Sequence, residues 1–181
     1  MRIALFGGSF DPPHMGHVLA ACYAKLMTNV DAVWVLPVAK HAYQKNLSPW
    51  DVRWQLCQAA FADLPFVTVR DDELHNSSGY TFDLLTQLTQ AHPQHHWYLV
   101  GGSDTAIDLP NWYRGSELAT RIKVIPVPRR GFDEQVCALP AISSSLIRER
   151  LAKRETITDI VPAAVADLIS RCGWYLPNQS D

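Results

Sequence analysis

Short apolar segments alternate with longer segments of mixed polarity along the chain. Apolar runs of four or five residues that end near glycine or proline are typical of buried strands. Such runs lie at residues 2–6, 32–36, 66–69, 97–100 and 122–126. The pattern therefore predicts strands that are separated from one another by other elements.

Between the predicted strands, apolar residues recur at the spacing of an amphipathic helix. Val18, Cys22 and Leu26 follow this spacing after the first strand. Ser48 and Pro49 are residue types that favour an N-cap and a first helical position, so a helix is predicted to begin there. The other predicted helices cover residues 15–27, 80–91, 112–119, 143–153 and 162–171.

The order of these elements predicts the fold class. Strands that alternate with helices favour an α/β domain with a mainly parallel sheet and helices on both faces. Right-handed crossovers make such a sheet doubly wound, and its ligands bind outside the carboxyl ends of the strands. No break in composition divides the chain, so we predict one domain over residues 1–181.

The composition excludes several classes of protein. The chain has 181 residues, of which 48% are apolar and 19% charged, a balance typical of globular domains. Its formal net charge of −2 supplies no whole-chain field for nucleic acid or an anionic membrane. The longest apolar runs, residues 18–24 and 32–39, are too short to span a bilayer. We therefore expect neither nucleic acid nor a membrane as a partner, and any anion site is local.

The cysteines and the first residues bear on the compartment. The four cysteines are widely separated and none belongs to a C-x-x-C pair, which argues against zinc and against a disulfide framework. The first strand runs directly into glycines, without the cleavage pattern of a signal peptide. We expect a reduced, cytoplasmic protein.

The turn after the first strand carries candidate chemistry. It reads GGSFDPPHMGH over residues 7–17, and its glycines and the following helix start predict an anion site. It matches neither the phosphate loop that ends in Gly-Lys-Ser/Thr nor the G-x-G-x-x-G fingerprint. His14 and His17 lie within one helical turn. Alternative interpretations are a zinc pair, for which the sequence offers no third ligand nearby, and surface histidines.

A second candidate anion site opens the helix predicted at residues 143–153. Ser143, Ser144 and Ser145 precede Arg148 by about one turn. Hydroxyls, free helix-terminal N–H groups and an arginine together can hold phosphate. Single serines at such positions are more often caps, and residues 148–150 could equally form a solvated face.

These two segments resemble the signatures of the nucleotidyltransferase superfamily, which has a Rossmann-like fold and releases pyrophosphate from a nucleoside triphosphate. GGSFDPPHMGH resembles the H-x-G-H signature and ISSSLIR the second one, with Ser9 and Ser145 where threonine is commoner. The resemblance implies catalytic roles for His14, His17 and Arg148. It also implies ATP binding by further residues, namely Gly7, Gly8, Ser9, Phe10, Ser143 and Ser145.

Further segments indicate the acceptor. Gly102-Ser103-Asp104, Leu109-Pro110-Asn111-Trp112-Tyr113 and Tyr80-Thr81 resemble motifs of bacterial nicotinate-nucleotide adenylyltransferases. The resemblance implies that Gly102 and Asp104 bind ATP and that Trp112 stacks on the pyridine ring of nicotinate mononucleotide. It implies that backbone N–H groups near Thr81 and Tyr113 bind the nicotinate carboxylate. Without it, Trp112 is equally a core or surface aromatic.

The resemblance implies ATP and nicotinate mononucleotide as small-molecule substrates, with Mg²⁺ bound through the ATP phosphates and no metal ligands in the protein. A basic residue after the second strand is expected to meet phosphate. Lys45 is assigned to ATP, with Lys40 as the alternative and Arg53, one turn further on, as an additional contact. Solvated surface charge is the other interpretation for all three, and for Lys40 the two are equal. The alternative functions are a pantetheine-phosphate adenylyltransferase and a catalytically silent nucleotide-binding module. No feature of the sequence assigns an oligomeric state.

Overall fold

The computed structural model describes residues 1–40, 46–128 and 139–176. Across these ranges the chain forms parallel strands of a single sheet. The strands are β1 (Arg2–Gly8), β2 (Ala32–Pro37), β3 (Val67–Val69), β4 (His96–Gly102) and β5 (Lys123–Val127). Their order in the sheet is β3-β2-β1-β4-β5.

Helices connect and cover these strands. The α-helices are α1 (Met15–Met27), α2 (Trp50–Phe61), α3 (Thr81–Ala91), α4 (Ser103–Asp108), α5 (Gly115–Arg121), α6 (Ser144–Ala152) and α7 (Ala163–Cys172). Within the described ranges, short 3₁₀ helices at Asp72–His75 and Leu109–Asn111 lie before α3 and after α4. None of the helices within the described ranges is long and apolar enough to cross a membrane.

The sheet has a hydrophobic core on each face because successive side chains of a strand point to opposite sides. In β1, Ala4 and Phe6 join a core with residues of α1, α2, α6 and α7. Ile3 and Leu5 join the opposite core with residues of α3 and α5. A strand that is buried on both faces needs apolar residues at every position, which is why the strands read as continuous apolar runs.

The chain reverses its direction of travel across the sheet beside β1. It runs outward from β1 to β2 and β3, and then returns to the other side of β1 with β4 and β5. The resulting crevice lies at the carboxyl ends of β1 and β4, where such sheets bind ligands. The predicted doubly wound, mainly parallel α/β fold is confirmed.

The main differences from the sequence-based expectation are two helix starts and one short helix. Pro49, not Ser48, precedes the first residue of α2, and the Ser48 N–H donates to Asp11 Oδ2 at 3.2 Å. The helix predicted at residues 112–119 is wrong at its start: Arg114 has the left-handed φ of 52°, and α5 begins after it. Helix α4 was not predicted, since its six residues are too few to show a periodic pattern.

Candidate active site

A cavity of about 540 Å³ opens at the carboxyl ends of β1 and β4. It brings together residues from the glycine turn after β1, the start of α3, the end of β4 and the start of α6. The predicted site residues that line it are Gly7, Gly8, Ser9, His14, His17, Thr81, Gly102, Trp112 and Ser143. Segments far apart in the sequence thus contribute to one site.

The two histidines form a stacked pair at the start of α1. Their ring centroids are 3.7 Å apart and their planes differ by 29°. The backbone N–H of His14 donates to Nδ1 of His17 at 3.2 Å. An accepting Nδ1 carries no proton, so this hydrogen bond assigns the proton of a neutral His17 ring to Nε2. His17 can therefore donate a hydrogen bond from Nε2.

Gly16 leaves space for the His14 ring. A Cβ built at residue 16 would lie 3.0 Å from both Cε1 and Nδ1 of that ring. His14 is only 6% exposed, which rules out the alternative of a surface histidine. The imidazole pair is therefore held by close packing, with His17 on one side and the bare backbone of Gly16 beside it.

Asp11 connects the glycine turn to two distant parts of the chain. Its Oδ1 accepts a hydrogen bond from the Tyr175 hydroxyl at 2.7 Å. Its backbone carbonyl accepts one from Nη1 of Arg148. Ser144 adds a hydrogen bond from its hydroxyl to the Pro12 carbonyl at 2.8 Å. Burial, chiefly, raises the pKa of Tyr175, so the hydroxyl stays protonated and remains a donor.

Arg53 is not a solvated surface charge, and that interpretation from the sequence was wrong. It is 1% exposed. Its three guanidinium nitrogens donate to the carbonyls of Ser48 at 2.9 Å, Ser9 at 2.8 Å and Val38 at 2.8 Å. The guanidinium therefore fastens the turn after β1 to the segment after β2 and to the start of α2.

Phe10 packs in the hydrophobic core next to the turn that follows β1. Its side chain is buried and packs in edge contact with Phe6 and Phe61, and its ring centroid is 4.7 Å from that of His17. It does not line the cavity, so any contact with ATP there involves other atoms than those of its ring.

The start of α6 has the predicted cap and the predicted arginine. The Ser143 hydroxyl accepts from the Leu146 N–H at 3.2 Å, which makes this serine an N-cap. Arg148 reaches both the Asp11 carbonyl and the Ser145 hydroxyl, the latter at 3.3 Å from Nη2. Ser143 lines the cavity, whereas Ser145 and Arg148 do not.

Trp112 lines the cavity and its indole is held in place. The indole N–H donates to Oδ2 of Asp108 at 3.0 Å, while Oδ1 of the same carboxylate accepts from Asn111 at 3.3 Å. Tyr113 does not line the cavity; its ring stacks on Tyr80 with centroids 4.4 Å apart. The structure therefore joins the predicted Y-T and W-Y segments through direct ring contact.

Two further predicted residues, Asp104 and Lys40, do not line the cavity. Asp104 is exposed in the first turn of α4, where a Cβ at Gly102 would collide with its carboxylate. Lys40 is exposed and donates to the Ser77 carbonyl at 3.4 Å. Lys45 lies outside the described residues.

Sequence reasoning missed a buried carboxyl group in this cavity. Glu73 is 6% exposed and lines the cavity, and Asn76 donates to its Oε2 at 2.9 Å. Burial raises the pKa of Glu73 above its ordinary value. Both residues occur in a polar stretch that reads as a surface loop, so the sequence holds no signal for their burial. The four-residue spacing of Asp108 and Trp112 could have predicted the hydrogen bond between their side chains.

Comparison with known proteins identifies the family of the chain. The family model described as cytidylyltransferase-like matches residues 5–150. A relative from Myxococcus xanthus, named "Probable nicotinate-nucleotide adenylyltransferase", is 35% identical over 180 residues and covers 97% of this chain and 95% of its own. A relative of the same name from Geobacillus thermodenitrificans is 34% identical over 185 residues, covering 96% of this chain and 86% of its own.

A solved structure shows the same fold. The nicotinic acid mononucleotide adenylyltransferase of Plasmodium falciparum, complexed with NaAD, superposes with a TM-score of 0.83 at 23% identity. The superposition covers 96% of this chain and 97% of that one. The chain belongs to the cytidylyltransferase-like family and, within it, to the nicotinate-nucleotide adenylyltransferases.

Proposed function

We propose that this protein transfers AMP from ATP to nicotinate mononucleotide, giving deamido-NAD and pyrophosphate. One observation carries the proposal: a single cavity is lined by the stacked pair His14 and His17 and also by Thr81 and Trp112. The first pair supplies donors for phosphate oxygens, and the second supplies a helix start and a flat aromatic face for a pyridine carboxylate. The names of the curated relatives support the same reaction.

The attacking group in this proposal is the 5′-phosphate of the mononucleotide. Its second pKa is about 6, so it is largely a dianion at neutral pH and needs no general base. An oxygen of this phosphate forms the new bond to the α-phosphorus while the bond to the bridging oxygen of pyrophosphate breaks. The imidazoles then act as hydrogen-bond donors to developing negative charge, a role for which Nε2–H of His17 is suited.

The glycine turn and α6 are assigned to the triphosphate. Backbone N–H groups of Gly7, Gly8 and Ser9, the Ser143 cap and the Arg148 guanidinium suit phosphate oxygens. Mg²⁺ prefers oxygen ligands and commonly keeps waters and substrate phosphates as partners, so in this proposal it enters bound to ATP. Ser145, Gly102, Asp104, Phe10 and Lys45 remain ATP-binding assignments that rest on the family resemblance.

We assign the acceptor to Thr81, Trp112 and Tyr113. Trp112 would stack on the cationic pyridinium, an arrangement that an aromatic face favours. N–H groups near Thr81 and Tyr113 would bind the nicotinate carboxylate. The reaction belongs in the cytoplasm in this proposal, where ATP occurs with reduced thiols such as those of the free cysteines Cys22 and Cys57.

The decisive assay measures pyrophosphate release from ATP with three acceptors: nicotinate mononucleotide, nicotinamide mononucleotide and phosphopantetheine. We expect kcat/KM for nicotinate mononucleotide to exceed that for the nicotinamide form by at least roughly tenfold. The amide NH₂ would face N–H donors and leave a buried donor unpaired, which costs about 1–3 kcal/mol. A wild-type enzyme that prefers either other acceptor contradicts the proposal.

Trp112→Ala separates stacking from recognition of the carboxylate. Because both mononucleotides have a pyridinium ring, this variant is expected to bind both of them more weakly and to keep most of the preference for nicotinate mononucleotide. A preference that disappears in the variant would show that Trp112 itself reads the carboxylate.

Arg148→Lys is expected to raise the KM for ATP roughly tenfold while the KM for nicotinate mononucleotide changes less than about twofold. Lysine keeps the charge but lacks the planar fork that bonds both Asp11 and Ser145. Steady-state kinetics with each substrate varied in turn measures the effect. Arg150→Lys is the matched control, since Arg150 pairs with Asp159 on the outside of α6. An equal rise in the KM values for both substrates would show that Arg148 does not act on ATP alone.

A further inference from the structure

The segment between β3 and α3 contains two buried polar side chains that the reaction above does not use. Glu73 and Asn76 are 6% and 2% exposed. Buried polar groups are retained at a cost unless they are fully hydrogen-bonded. Glu73 also lines the cavity together with Gly79 and Thr81, so this network borders the acceptor residues.

Asn76 is bonded on both sides of its amide. Its Nδ2 donates to Glu73 Oε2 at 2.9 Å and to the Tyr80 carbonyl at 3.3 Å. Its Oδ1 lies 3.0 Å from the Ser78 hydroxyl. Its own backbone carbonyl accepts from the Gly79 N–H at 3.2 Å. One side chain therefore ties the 3₁₀ turn that carries Glu73 to the residue that caps α3.

Ser78 extends the network into α3. Its Oγ lies 3.0 Å from Asn76 Oδ1 and 2.6 Å from Asp83 Oδ2, two acceptors for its one proton, and it accepts from the Tyr80 N–H at 3.2 Å. Tyr80 is the N-cap of α3, and Thr81 is the first residue of that helix. The direction of the Thr81 N–H, one of the unpaired donors at a helix start, thus depends on how this turn is held.

We propose that Asn76 is a positioning residue for the acceptor, which fixes the turn from Ser78 to Thr81 so that its N–H groups meet the nicotinate carboxylate. This inference rests on the proposed function. An ionised Glu73 would repel a substrate carboxylate. Burial raises the pKa of Glu73 and favours its neutral form, while the hydrogen bond that Asn76 donates to Oε2 acts in the opposite direction, so the proposal rests on the position of the turn and not on the charge of Glu73.

Asn76→Ala tests the proposal. We expect the KM for nicotinate mononucleotide to rise about tenfold, because one or two buried hydrogen bonds are lost. We also expect the preference in kcat/KM for nicotinate mononucleotide over nicotinamide mononucleotide to shrink. The KM for ATP is expected to stay within about twofold of wild type. Ser77→Ala is the matched control, since Ser77 is adjacent and exposed. Equal changes in both KM values, or none, would overturn the proposal.

Variants that exchange the amide of residue 76 with the carboxyl group of residue 73 keep the test decisive if Asn76→Ala does not fold. Asn76→Asp places a second carboxyl group against Glu73 and is expected to raise the same KM. Adding Glu73→Gln restores an amide–carboxyl pair with the roles reversed, and the double variant is expected to recover at least about half of the lost affinity on a logarithmic scale. A double variant no better than Asn76→Asp would overturn the proposal.

Wild-type kinetics separate this inference from the function on which it rests. Wild-type enzyme that does not use nicotinate mononucleotide contradicts the proposed function itself. Wild-type enzyme that uses it, with Asn76 variants that leave its KM unchanged, contradicts the positioning role alone.

Discussion

His17→Ala is expected to lower kcat about 10²- to 10³-fold, the usual effect of losing one preorganised donor to transition-state charge. The Nδ1 of His17 accepts from the His14 N–H, so Nε2 is the ring nitrogen that carries the proton of the neutral imidazole. The stacked His14 ring would also lose its support at 3.7 Å. Single-turnover measurement of AMP transfer at saturating substrates reports the loss directly.

His17→Asn distinguishes catalysis from folding. Asparagine can accept the His14 N–H with its Oδ1 but has no group at the position of Nε2. We expect its kcat to fall as far as that of the alanine variant while its melting temperature stays near wild type. His96→Ala, an exposed substitution at the start of β4, is the control. Full activity in either His17 variant would contradict the assignment.

Arg53→Met is expected to lower the free energy of unfolding by about 3–5 kcal/mol, as for breaking a buried charged network. Three carbonyls, those of Ser9, Val38 and Ser48, would lose their donor at once. For a chain of this size the melting temperature falls by roughly 6–20 °C. Urea denaturation followed by tryptophan fluorescence measures the change.

Arg171→Met is the matched control for Arg53. Arg171 forms an exposed ion pair with Asp167 on α7, and such pairs contribute about 0–1 kcal/mol. Arg53→Lys keeps the charge but offers no fork for three separate carbonyls, so a loss between those of the other two variants is expected. An Arg53→Met protein as stable as the Arg171 variant would show that the three hydrogen bonds contribute little.

The parallel sheet could be predicted because local sequence determines it. A strand covered on both faces requires apolar residues at consecutive positions, and the run at Ile3 to Phe6 meets that requirement without information from elsewhere. The edge that carries the site was equally predictable, since glycines at the ends of β1 and β4 mark it.

The supports of the site could not be predicted because their partners are distant in the sequence and are mostly backbone atoms. Arg53 contacts the carbonyl of Ser9, 44 residues away, and a carbonyl leaves no mark in a sequence. The predicted start of α5 was wrong for a related reason. Arg114 adopts a left-handed conformation that favours glycine, and an arginine in the sequence does not indicate that conformation.

The hydrogen bond from Tyr175 to Asp11 joins residues 164 positions apart. A ribosome adds roughly 5–20 residues per second, so roughly 8–33 s pass between the synthesis of the two residues. Arg148, which holds the Asp11 carbonyl, follows Asp11 by 137 residues. The nascent chain therefore has its histidine motif before the residues that support that motif are made. Catalytic competence has to wait for residues that are synthesised well after the motif itself.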